Sequence, residues 1–117
     1  MKRFILTSLI VFLTCGSLTL GTMLLAADGG GEATFHSLHC NICHKPDRRS
    51  AGPALSEIGK AYNGQQELLV QYLQGQAKPL IDLGKEQVMK GQLEKTKEIS
   101  AAERGELAGY ILSFGGK

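Results

Sequence analysis

Hydrophobic positions after residue 30 recur at helical spacing in four places. Phe35, Leu38, His39 and Ile42 fall at i, i+3, i+4 and i+7 and predict a helix that starts near Glu32 and runs straight into residues 40–44. Gly52-Pro53 interrupts any continuation, and Leu55, Ile58 and Tyr62 mark a second short helix ending near Asn63-Gly64. Leu68, Leu69, Tyr72 and Leu73 predict a third, closed by Gly75. Ser100 and Glu103 have the spacing of a capping box, and Leu107, Tyr110, Ile111 and Phe114 repeat behind it before Gly115-Gly116. Between Ala77 and Ile99 the spacing is lost, which predicts a loop-rich segment. No stretch alternates apolar and polar residues as a strand would. The pattern therefore predicts one all-α domain over residues 32–117, with about four short helices and no internal repeat.

The N-terminus follows different rules. Lys2 and Arg3 precede an uncharged apolar run from Phe4 to Ala27, which ends in Leu25-Ala26-Ala27 and is followed by Asp28. Cations, an apolar core and small residues at its end are the layout of an export signal, so residues 1–27 are expected to be a cleaved signal peptide. The run is also long enough to span a bilayer, so an uncleaved membrane anchor is the alternative. Lipid attachment at Cys15 is disfavoured by Thr14 before it and by the apolar residues after it. Each reading puts the domain outside the cytoplasm, joined through a flexible Gly-rich segment at residues 28–31.

Charge and cysteines narrow the chemistry. Of the 13 basic residues two lie at positions 2 and 3, and the remainder equal the 11 acidic residues in number. Such a neutral domain lacks the basic excess that nucleic-acid binding needs. Cys40-Asn41-Ile42-Cys43-His44 carries both cysteines that follow the N-terminal segment. A disulfide across two intervening residues closes a ring that constrains little chain, and a zinc site lacks a second pair of ligands. A thioredoxin-like pair would want alternating strands and helices. Covalent haem attachment uses what is present: two thiols spaced for the two vinyl groups of a porphyrin, and an adjacent imidazole for the iron.

The sixth iron position then decides function. Met89 is the one methionine after Ala27, and its thioether is a soft, neutral ligand that favours ferrous iron. The alternative for Met89 is a side chain that fills a core gap. His36 and His39 belong to the helix on the attachment side and are expected at the surface or edge. Lys45, Arg48 and Arg49 after the attachment residues, and Lys85, Lys90, Lys95 and Lys97 near Met89, could steer acidic partners. Asp47, Glu86, Glu94 and Glu98 interleave with them, so a solvated face is the competing reading.

The attachment residues early in the domain, Gly52-Pro53 soon after, a methionine in the second half and a closing amphipathic helix resemble a class I c-type cytochrome of the small bacterial monohaem kind. The resemblance covers essentially residues 32–114. Gly52-Pro53-Ala54-Leu55, Ala61-Tyr62 and Val88-Met89-Lys90-Gly91-Gln92-Leu93 resemble a subgroup of periplasmic carriers from thermophilic bacteria, whose enlarged methionine loop holds an extra short helical turn. The resemblance implies the cytochrome c fold wrapped around one covalent haem c, with thioether bonds at Cys40 and Cys43 and iron ligands at His44 and Met89. It further implies that the Pro53 carbonyl accepts the second ring N–H of His44, and that Phe35 and Tyr110 meet where the first and last helices cross. The function implied is electron transfer between redox protein partners by a periplasmic, monomeric, non-enzymatic carrier. A haem subunit of a larger membrane oxidoreductase and an open-site haem protein binding a small gas are the alternatives.

Overall fold

The computed structural model describes residues 30–116, so the segment over 1–27 lies outside the described residues. Five α-helices follow one another: α1 Gly30–Ser37, α2 Leu55–Ala61, α3 Gln66–Leu73, α4 Glu86–Glu98 and α5 Ala101–Leu112, with a single 3-10 turn over Cys40–Ile42 between α1 and α2. No strand occurs among the described residues, and the domain is all-α as expected.

α5 is the centre of the packing. Its start is fixed by Ser100, whose hydroxyl accepts from the Glu103 N–H at 3.1 Å while the Glu103 carboxylate accepts from the Ser100 N–H at 2.9 Å. These bonds hold the Glu103 carboxyl below the usual carboxylate range. Leu107, Ala108 and Ile111 then project from one face into the core, where they meet Phe35 of α1, Leu55 and Ile58 of α2 and Leu69 of α3. α1 crosses α5 with the Phe35 and Tyr110 ring centroids 5.4 Å apart, and Phe114 lies edge-on to Tyr110 at 5.2 Å.

Three expectations need correction. Residues 28–31 do not form a flexible join throughout, because Gly30 and Gly31 open α1. Gly31 is buried where the two backbones touch, and a methyl group there would collide with the Glu106 main chain. Close approach, not flexibility, explains this glycine. The first helix also stops short of the attachment residues: it ends at Ser37, and His39 adopts a left-handed φ of 60° before the 3-10 turn. The segment over 77–99 is not loop-rich. It contains α4, a helix of 13 residues and the longest described, far more than a short extra turn. The irregular stretch before α4 is residues 74–85, with left-handed backbone at Gly75, Asp82 and Gly84.

Candidate haem-attachment site

The tight turn at Cys40 is set by main-chain bonds. Cys43 N–H and His44 N–H both donate to the Cys40 carbonyl, at 3.2 and 3.0 Å, and Lys45 Nζ donates to the Asn41 carbonyl at 2.7 Å. The chain then folds back on itself, as Gly52 N–H donates to the Cys43 carbonyl at 3.0 Å and Leu55 N–H to the Lys45 carbonyl at 2.8 Å. This return brings Gly52-Pro53 against the imidazole. His44 Nδ1 donates to the Pro53 carbonyl at 2.8 Å, leaving Nε2 as the nitrogen without that commitment. The ring lies so close to Gly52 that a Cβ there would stand 2.6 Å from His44 Cε1. Gly52 and Pro53 together therefore fix the plane of His44.

Cys40 and Cys43 form no disulfide, and both are partly exposed. Burial pushes the Cys40 thiol above its ordinary value, opposed by the positive charge of Lys95. Both cysteines and His44 line one cleft whose walls are mostly apolar, from Phe35, Leu55, Ile58, Leu69 and Leu107. Met89 lines the same cleft from α4, with Gln92 and Thr96 one and two turns further on. His39 lines it beside Cys40 and is otherwise exposed, while His36 is an exposed residue 4.0 Å from Glu32. The donor set suits a haem: two thiols at a turn, a fixed imidazole, and an apolar slot.

Sequence reasoning missed several supports of this site. Tyr62 is buried, and its hydroxyl accepts the Leu80 N–H at 3.0 Å, tying α2 to the irregular segment. Arg49 pairs with Glu57 at 2.9 Å and also with Asp82, joining the loop after the attachment residues to the segment before α4. Arg104 is a buried arginine whose guanidinium reaches the end of α4. No spacing rule points to these contacts, since their partners are distant in sequence or are main-chain carbonyls. Of the basic residues that could steer a partner, Arg49 is engaged with acids and Lys97 pairs with Glu94 at 2.6 Å, as on a solvated face of mixed charge.

A helical domain closed around an attachment turn and an apolar slot defines a haem protein of the covalently linked class. The sequence model described as Cytochrome c matches residues 30–115, so the chain belongs to the cytochrome c family and carries a covalent c-type haem, with Cys40, Cys43 and His44 fitting the attachment motif. The chain is also 38% identical over 58 residues to a protein described as cytochrome c2 from Rhodopseudomonas palustris, a match over 50% of this chain and 40% of that protein. The chain thus aligns with less than half of that relative's length. Among the described residues no helix is long and apolar enough to cross a membrane.

Proposed function

We propose that this protein is a one-electron carrier whose haem iron is held between His44 and Met89, working outside the cytoplasmic membrane between redox protein partners. The observation that carries the reading is the pairing of a fixed imidazole with a thioether on another wall of the same apolar cleft. A c-type haem bound there supplies reversible exchange of one electron between ferric and ferrous iron. The Pro53 carbonyl keeps the Nδ1 proton on His44, so Nε2 is the donor nitrogen and its basicity is raised. The Met89 thioether raises the potential relative to a second imidazole. Leu55, Ile58 and Leu107 exclude water from the slot, which lowers the local dielectric and favours the less charged state. Lys85 and Lys95 line the cleft together with Asp82 and Glu86, so its rim is of mixed charge, and the two lysines are the groups that would meet an acidic partner.

No substrate has to bind for this chemistry, so the carrier is not an enzyme. The likeness to a cytochrome c2 supports the carrier reading, and the export-type sequence of residues 1–27 supports a periplasmic location for a soluble protein. Absorption spectra of the oxidised and reduced protein, matured in a haem-attaching host and paired with its intact mass, test the proposal. One thioether-linked haem, low-spin iron in both states, a sulfur-to-iron band and a mass lacking residues 1–27 are expected. A five-coordinate spectrum with immediate carbon monoxide binding would overturn the carrier reading, and a mass retaining residues 1–27 would overturn the soluble one.

A further inference from the structure

α4 carries Met89, yet Thr96 is its one fully buried residue. Polar contacts from the rest of the protein gather at its last turn. Thr96 is 4% exposed, and its hydroxyl donates to the carbonyl of Leu73, the final residue of α3, at 2.6 Å. Arg104 is 5% exposed and reaches back from α5. Its Nε donates to the Thr96 carbonyl at 2.8 Å, and one terminal nitrogen donates to the carbonyls of Lys97 at 3.0 Å and Ile99 at 2.8 Å. A helix end leaves such carbonyls without intrahelical partners and gathers partial negative charge. A buried guanidinium answers both needs. Met89, Gln92 and Thr96 stand at i, i+3 and i+7 and line one cleft. Fixing Thr96 therefore fixes the roll and depth of the face that bears Met89.

We propose that Arg104 is a positioning residue for the distal iron ligand, anchoring the C-terminal end of α4 so that Met89 is presented to the iron. This inference rests on Met89 being that ligand. Haem-loaded full-length Arg104→Met, Arg104→Lys, Thr96→Val, Met89→Leu and Tyr110→Ala proteins test it through three readings on ferric protein: the thioether-to-iron band, cyanide affinity and the denaturant midpoint. Arg104→Met is expected to weaken the band and tighten apparent cyanide binding by about tenfold or more, the factor one hydrogen bond to a charged donor represents. Arg104→Lys should fall between it and the parent, since an ammonium cannot match the fork of a guanidinium. Tyr110→Ala removes ring contacts with Phe35 and Phe114 far from the end of α4. It should lower the midpoint and leave cyanide affinity unchanged.

The proposal is overturned if Arg104→Met and Tyr110→Ala shift cyanide affinity equally at matched loss of midpoint. Should Arg104→Met fail to fold, Arg104→Lys and Thr96→Val carry the same comparison. A band that survives in Met89→Leu overturns the ligand assignment and this inference with it. A band lost in Met89→Leu but intact in the Arg104 variants overturns the positioning role alone.

Discussion

Gly52→Ala offers a direct measure of how tightly the proximal imidazole is held. The added Cβ would stand 2.6 Å from His44 Cε1, 3.0 Å from Nδ1 and 3.2 Å from Nε2. Ordinary contact begins near 3.4 Å, so the ring must retreat by about 0.8 Å. That movement works against the 2.8 Å bond from Nδ1 to the Pro53 carbonyl. Overpacking of this kind costs about 1 to 3 kcal/mol and the lost hydrogen bond about 1 kcal/mol more, for a total of about 2 to 4 kcal/mol. The backbone adds nothing, because φ at Gly52 lies outside the left-handed region. Gly64→Ala supplies the opposite control: φ there is +71° and nothing lies within 4 Å, so it should cost about 1 kcal/mol of backbone strain and leave the iron spectrum untouched. Denaturant unfolding of the haem-loaded proteins gives the energies, and proton NMR of the His44 ring gives its orientation. If Gly52→Ala unfolds within about 0.5 kcal/mol of the parent, with those ring shifts unchanged, the contact does not brace His44.

Three further outcomes follow from the same geometry. Met89→Leu should keep the haem attached through Cys40 and Cys43, abolish the thioether-to-iron band and lower the reduction potential, as voltammetry and absorption would show. Cys43→Ala should cripple attachment and folding together, read as the yield of coloured protein, because so small a domain uses the haem as part of its core. Burial pushes the Tyr72 phenol up to about 12. Its folded pKa lies above the unfolded value, so the associated stability is complete below about pH 10 and is lost as pH rises through about 12. Phenolate absorbance of Tyr72→Phe against the parent isolates this titration, and a Tyr72 transition near pH 10 would contradict the burial.

Which parts of this architecture could be read in advance depended on where the information is stored. Attachment residues are consecutive, and the capping box of α5 spans four positions, so both are visible in a short window. The all-α class was equally legible from the spacing of Leu107, Tyr110 and Ile111. α4 was not, because its apolar face is sparse and directed toward the haem cleft, with Val88 left 66% exposed. Good helix formers run through Glu86–Glu98 and pairs such as Glu94–Lys97 support it, and these signals could have revealed the helix where hydrophobic periodicity did not. The end of α1 was misplaced because a left-handed residue at His39 leaves no mark on the apolar spacing. Arg104 belongs to no motif in the sequence, and only the fold brings its guanidinium to the end of α4.

The contact between Gly31 and the main chain of Glu106 joins almost the first described residue to nearly the last. The chain therefore cannot complete its interior until the last helix has joined the first. A chain truncated ahead of Leu107 keeps Phe35, Leu55, Ile58 and Leu69 but lacks the helix against which they close the slot.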